Sequence, residues 1–568
     1  MRDETNIMAK NALVKKIRLN VIGEKQPITT PLGVKPLIYA DYTASGRSLK
    51  FIEEYIQSKV MPYYANTHSE TSYTGAQTMA LREQARQQIR DAVGGTEQDK
   101  VIFCGSGATA AINKLIDILN LRLPADLNDR YSFSSAIADA DRPVVFIGPY
   151  EHHSNELPWR ESIATLVCIP LNEEGNLDIK VLEEGLIKYQ NRTMKIGSFS
   201  AASNVTGLKT DVEAVTQLLH RYKALSFWDY AASAPYVKIE MNGGNHKDAV
   251  FISPHKFVGG PGTPGVLVVK ENVIKNRIPT MPGGGTVVYV TPEDHRYIDD
   301  IERREEGGTP AIIESIRAGL VFKLQQEVGT DEICARENAF IERASKRLEK
   351  HINISMLGSS EASRLSIISL IISHKGRDLH YGFVVALLND LFGIQARGGC
   401  SCAGPYGHSL LGMNIAYSKA IEAQLYKGAM ILRPGWVRLN FNYFIDEETF
   451  DFLLSAIELI AQYGWRMLPY YEFNENDGVW RYQGNKMKPA VQWKDFDFMS
   501  CATRHEEPEY IALKGILQLA KKELTRVRSD CLTFSIQLSP QVDELRWFVL
   551  PQEVDLSTTP HSDAEIAQ

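Results

Sequence analysis

A surplus of positive charge is the first thing this chain lacks: 62 Lys and Arg stand against 69 Asp and Glu, a formal net charge of −7. Such a balance offers nothing to a phosphate backbone, so no nucleic-acid partner is expected. Long hydrophobic runs are missing as well. The longest, "LSIISLII" (Leu365 to Ile372), falls far short of the roughly 20 apolar residues a membrane-spanning helix needs, and no membrane role is expected. Seven cysteines in 568 residues, an odd number, do not form a disulfide framework. The opening "MRDETNIMAK" is polar and carries no secretory signal, so a reducing cytoplasm is the expected setting. Internal repeats and low-complexity tracts are absent.

What is present is the composition of a globular protein, 44% hydrophobic and 23% charged, in a chain too long for one compact core. Apolar runs alternate with amphipathic helical patterns. "KVIFC" (Lys100 to Cys104) reads as a buried strand, followed by a helix with Ile112, Leu115, Ile116 and Leu119 on one face. "DVEAVTQLLHRYK" (Asp211 to Lys223) is a second helix, and "ALSFWD" and "AVFIS" are the next two strands. The expected fold class is α/β, with a large domain built on a mainly parallel sheet covered on both faces. From about Gly329 the pattern shifts to longer helices, as in "HYGFVVALLNDLFGI", which predicts a smaller α+β domain. The expected divisions are an amino-terminal segment (1–35), a large domain (36–328), a small domain (329–466) and a carboxyl-terminal extension (467–568). The extension contains the aromatic, turn-rich "YYEFNENDGVWRYQG", a helix presenting Leu513, Ile516, Leu517, Ala520 and Leu524, and a disordered tail, "DLSTTPHSDAEIAQ".

Ligands of a parallel sheet bind beyond the carboxyl ends of its strands, and three of the expected strand ends carry unusual residues. "GSGAT" (Gly105 to Thr109) opens a helix with small residues whose bare N–H groups suit a phosphate. Asp229 ends "ALSFWD", and "SPHK" puts Ser253, His255 and Lys256 after "AVFI". Each alone reads as ordinary structure: a tight turn, a helix cap, a solvated lysine. Together they are what pyridoxal phosphate (PLP) requires: a phosphate cradle, a carboxylate to keep the pyridine nitrogen protonated, and a lysine to form a Schiff base with the aldehyde. A desolvated lysine amine loses its proton near neutral pH and becomes nucleophilic.

With these residues in view, the chain from about Tyr39 to Tyr443 resembles the class V aminotransferase-fold enzymes (PLP fold type I) of the cysteine desulfurase and selenocysteine lyase group. "YADYTASGR" resembles that family's opening segment, and "CGSGATAAIN" its phosphate loop, which implies Gly107, Ala108 and Thr109 at the phosphate. "EHHSNELPW" implies that His152 stacks on the ring, and "SNVTG" places Asn204 near the ring oxygen. "WDYAASA" supplies Asp229 for the ring nitrogen and "SPHK" the Schiff-base Lys256, with Ser253 and His255 against the phosphate. "EGGTP" resembles a segment that reaches into the neighbouring subunit's site, so Thr309 would touch a partner's phosphate in a homodimer. "WVRLNF" puts Arg438 at the substrate carboxylate, a task suited to a guanidinium fork.

The reaction turns on "QARGGCSCAGPYGH" (Gln395 to His408). Arg397, Gly399, Cys402, Ala403 and Pro405 match the family loop, so the resemblance implies Cys402 as the thiolate that takes sulfur from an L-cysteine substrate, with Lys256 removing the α-proton and alanine leaving. A sulfur-acceptor protein would then be a partner. Cys400 stands where many desulfurases have histidine, and the sequence leaves open which cysteine, if either, is the nucleophile. No metal is expected at this C-x-C, since zinc wants four ligands and no second cluster is visible. Ala232 replaces a family glutamine and Ala108 a threonine, each removing a hydrogen bond worth about 0.5–1.5 kcal/mol. Another PLP reaction (aminotransferase, epimerase or lyase) and a non-catalytic scaffold are the rival readings.

Overall fold

The apolar stretches singled out above become strands buried on both faces. The structure, a computed structural model, describes residues 2–557 except 68–70, 360–361, 476, 485–490, 496, 498, 500–511 and 527–532. After the amino-terminal helix α1 (Arg2–Asn20), the large domain runs through β1 (Asp99–Cys104), α2 (Gly107–Ile118), β2 (Val144–Ile147), β3 (Thr165–Cys168), β4 (Lys195–Ser200), α3 (Val212–Arg221), β5 (Leu225–Asp229), β6 (Ala249–Ile252) and β7 (Gly265–Lys270). These strands form one seven-stranded sheet in the order β1-β7-β6-β5-β4-β2-β3. All its pairings are parallel except those of β7, which runs antiparallel to both β1 and β6. The sheet is thus mainly parallel, as expected for this fold class.

Local chemistry starts and stops these elements. Asp211 caps α3 by accepting the Ala214 N–H at 3.0 Å. Val215, Leu218 and Leu219, on one face of α3, are buried with Phe199 and Trp228 in the core beneath the sheet. On the other face α2 presents Ile112, Leu115 and Ile116 to Ile102, Phe227 and Leu267. From α1, Val14 and Ile17 are buried in the same core as Val321 and Phe322 of α4 (Ile312–Val328).

A second sheet, antiparallel throughout, combines β8 (Ile354–Met356), β9 (Ile367–His374), β10 (Arg397–Gly399) and β11 (Trp436–Asn440) in the order β8-β9-β11-β10, with Arg377–Asp378 paired onto β9. Helices α5 (Tyr381–Phe392) and α6 (Glu447–Tyr463) cover it.

The carboxyl-terminal extension packs into this unit. Its turn-rich aromatic stretch folds as a hairpin, β12 (Tyr471–Asn474) and β13 (Val479–Tyr482), which places Phe473 opposite Trp480. The helix that follows, α7 (Leu513–Thr525), buries Leu513, Ile516, Ala520 and Leu524 among Phe383, Leu387, Leu453 and Ile457, while Leu517 is half-buried against them. Phe548 and Leu550 complete the same cluster. The tail expected to be disordered lies, from residue 558 on, outside the described residues.

Because α7 fills the small-unit core, Ile516→Ala is expected to destabilise the protein by about 2–5 kcal/mol in urea unfolding. A loss below about 0.5 kcal/mol would mean that the extension is a detachable appendage.

Candidate active site

Every strand end flagged in the sequence opens onto one cavity of about 210 Å³. It is lined by Gly107, Ala108, Thr109, His152, Asn204, Asp229, Ser253, His255, Lys256, Arg397 and Arg438, all of them expected site residues, together with Ser401. Thr309 and Cys402 do not line it.

The sheet topology explains the convergence. β1, β2, β4, β5 and β6 are co-directional, so the residues after each emerge at the same edge. After β1 the chain turns through Gly107 at φ +57°, a left-handed conformation natural to glycine. A Cβ there would stand 2.8 Å from Ser253 Oγ and 3.4 Å from His255 Nε2, so glycine also makes room for two cavity groups. The N–H of Ala108, in the first turn of α2, donates to Ser253 Oγ at 2.8 Å. The Thr109 and Ser154 hydroxyls lie 2.6 Å apart, and Ser154 reaches His152 Nδ1 at 3.0 Å. Below His152, buried Glu151 accepts from Ser200 Oγ (2.6 Å) and Asn155 Nδ2 (2.7 Å), anchoring the turn.

Electrostatics separate the titratable groups. Lys256 is half-buried in the cavity wall, and desolvation lowers its pKa to about 8, with Asp229 opposing that shift and Arg438 and Arg397 adding to it. Asp229 is buried, and desolvation raises its carboxyl above the ordinary range although its Oδ1 accepts the Ala231 N–H at 2.7 Å. Burial, reinforced by the Lys256 charge, lowers His152 to about 3 and His255 to about 4. Both imidazoles are therefore neutral at physiological pH, so neither adds positive charge beside the amine.

The arginines come from the second sheet. Arg397 and Arg438 are register partners on β10 and β11. Asp41, which the sequence reading passed over, joins them: Oδ1 accepts from Arg438 Nη2 at 2.9 Å and Oδ2 from Arg397 Nε at 3.1 Å. Its position follows from backbone bonds on either side, Asn440 N–H to the Ala40 carbonyl (3.0 Å) and Tyr42 N–H to Asn440 Oδ1 (2.8 Å). Arg438 also donates to the Asn204 carbonyl at 3.0 Å, tying the second sheet to the first.

The cysteine loop sits against this edge. Ser401 and Cys402 have φ of 54° and 56°, a left-handed pair that costs free energy for non-glycine residues unless the surroundings enforce it. They do so here through three bonds. Asn204 Nδ2 donates to the Ser401 carbonyl (2.8 Å), the His153 N–H to the Cys402 carbonyl (2.9 Å), and the Gly404 N–H to His153 Nε2 (3.1 Å). Cys402 is exposed at the rim, while Cys400 is half-buried beside Tyr406 and Trp436. His153 is the second residue that sequence reasoning missed; its neighbour in "EHHSN" drew all the attention. Thr309 lies away from the cavity, exposed, its Oγ1 accepting from Asn66 Nδ2 at 3.1 Å.

Fold and cavity together define the large-domain architecture of PLP fold type I. The aminotransferase class-V family profile matches residues 38–426, and the chain belongs to that family. It is 28% identical over 375 residues to a probable cysteine desulfurase of Halalkalibacterium halodurans, covering 65% of this chain and 85% of that protein. A probable cysteine desulfurase of Streptomyces coelicolor is 26% identical over 374 residues (65% and 84% covered). Among solved structures, the apo cysteine desulfurase of Thermococcus onnurineus superposes with a TM-score of 0.61 at 23% identity, over 75% of this chain and 94% of that one. The cysteine desulfurase CsdA of Escherichia coli gives 0.58 at 20% identity, over 74% and 93%. These last two share the fold.

The desolvated amine has a measurable consequence. Its folded-state pKa, about 8, lies below the ordinary 10.5, so the unfolded chain binds the extra proton between those two values and the charged amine costs stability at neutral pH. The cost is full below pH 8 and is relieved as pH rises toward 10.5. In cofactor-free protein, Lys256→Met is expected to be more stable than wild type at pH 7 by up to about 3 kcal/mol, and the gap should narrow by pH 10. A gap that does not change with pH would contradict the desolvated amine.

Proposed function

We propose that this chain binds PLP in the Lys256 cavity and removes sulfur from L-cysteine, leaving alanine and a persulfide on Cys402. The observation that carries the reading is the cysteine loop, held by Asn204 and His153 at the rim of a cavity that contains a neutralisable lysine, Lys256. The cavity residues suit the cofactor. Asn204 Oδ1 and Ser401 Oγ are buried with no hydrogen-bond partner, an arrangement that favours a polar ligand. The Ser253 and Thr109 hydroxyls and His255, beside the start of α2, would form a donor set for a phosphate. All three lining the cavity, Asp229 would pair with the ring nitrogen, His152 would stack on the ring and Asn204 would lie near its oxygen, as the family resemblance implies. Bound PLP supplies an electron sink for the charge left at the substrate's α-carbon.

The chain's own groups do the rest. Arg438 and Arg397 hold the substrate carboxylate with guanidinium groups that also donate to Asp41. Lys256, with its pKa near 8, moves the α-proton at close to working pH. The Cys402 thiolate attacks the substrate sulfur: the S–S bond forms as the C–S bond breaks, and the C–S electron pair and a proton stay with the carbon skeleton as alanine. Exposure of Cys402 leaves the sulfur open to an acceptor thiol, on a small molecule or a protein. Thr309, outside its own cavity, is assigned to the phosphate of a second copy in a homodimer.

A second reading in the same class, transamination, epimerisation or another lyase step, is favoured by one observation. Ala232 lines the cavity with no side-chain donor where desulfurases resembling this chain have glutamine.

The test is alanine and sulfide release from L-cysteine by PLP-loaded protein with a reductant present. Wild type is expected to turn over, Lys256→Ala to lose activity by more than about a thousandfold, and Cys402→Ala to fall far below Cys400→Ala. Full PLP loading without cysteine turnover, or equal activity in both cysteine variants, would move the assignment to the second reading. Arg438→Lys, which loses the planar fork, should raise the KM for cysteine about tenfold or more.

A further inference from the structure

At the opposite end of β6 from Lys256, His220, His246 and Asp248 bring one ligand atom each to within 4.8 Å of one another. His220 lies in the last turn of α3, His246 in the β5–β6 loop "NGGNHKD", and Asp248 immediately before β6. We infer that this cluster is a divalent transition-metal site, with Zn²⁺ the ion its chemistry suits best.

Two imidazoles and a carboxylate are borderline ligands of the kind zinc takes. At zinc–ligand distances of about 2.0–2.1 Å, ligand atoms around a tetrahedral ion stand roughly 3.3 Å apart. His220 Nε2 lies 3.1 Å from Asp248 Oδ2, and His246 Nε2 lies 3.8 Å from Asp248 Oδ1. The second distance is that of a loose ion pair rather than a hydrogen bond, a spacing that a shared ion would close. The imidazole ring centroids lie 4.4 Å apart at 31°, so both rings crowd the same carboxylate.

The carboxylate is also supported as a metal ligand needs to be. Asp248 is 6% exposed at its side chain, and its Oδ2 accepts the Ser226 N–H at 2.8 Å, which fixes its orientation. His246, 54% exposed, leaves the fourth position to water. Since α3 and the β5–β6 loop supply the two histidines, an ion here would pin that loop to the sheet's amino edge, a full strand away from the PLP cavity. The site does not depend on the reaction assigned above.

The test uses full-length, PLP-loaded protein stripped with a chelator, then titrated with Zn²⁺ against a chromophoric competitor. Wild type should take up a zinc equivalent that His246→Ala and His220→Ala each weaken at least tenfold. His246 is mostly solvent-facing, so its variant should keep the fold. Co²⁺ substitution should give d–d bands without thiolate charge transfer. Unchanged zinc uptake in both histidine variants, or a cobalt spectrum dominated by thiolate bands, would overturn the inference.

Discussion

Desolvation of the Lys256 amine is the constraint on which the rest of the site depends. A charged ammonium drawn out of bulk water is costly, and here the cost is met by shifting the pKa to about 8 and by placing Asp229 within electrostatic reach. Nearby groups follow from it. His152 and His255 are held neutral, partly by the same charge. Ser253 stops β6 and accepts the N–H that opens α2, so the lysine's own turn is locked to the small-residue loop 145 residues earlier in the chain.

The second dependence is on Asp41, one carboxylate shared by two arginines. Arg438 is buried and Arg397 half-exposed, so the pair combines a fixed and an adjustable guanidinium. Asp41 and Asn204, from the amino-terminal half of the chain, hold them in place. The cavity wall is therefore made jointly by the two sheets, and whatever carboxylate enters must share the fork with Asp41.

Much of this was legible along the chain because chemistry-bearing residues stand directly after apolar runs. Asp229, Ser253 and Lys256 needed only the rule that parallel strands deliver their carboxyl ends to one edge. Asp41 was not legible, because its role arises from the pairing of Arg397 with Arg438 and from bonds to Asn440, contacts some 350 to 400 residues apart in sequence. His153 was hidden for the same reason: its bonds to Cys402 and Gly404 cross about 250 residues. The antiparallel course of β7 was equally hidden, since "GVLVVK" has the continuous apolar pattern of a buried parallel strand. The packing of the extension was not legible either, because the apolar face of its hairpin and α7 meets residues of the small-unit core far away in sequence.

The central claim is that the strained loop at the rim exists to place Cys402 where substrate sulfur arrives. It is tested most directly by peptide mass spectrometry of PLP-loaded protein after brief exposure to L-cysteine without reductant. The account predicts the added mass of one sulfur atom on the peptide bearing "GGCSCAGPYGH", retained in Cys400→Ser and lost in Cys402→Ser. Added sulfur that persists in Cys402→Ser, or none on that peptide while alanine is formed, would contradict it.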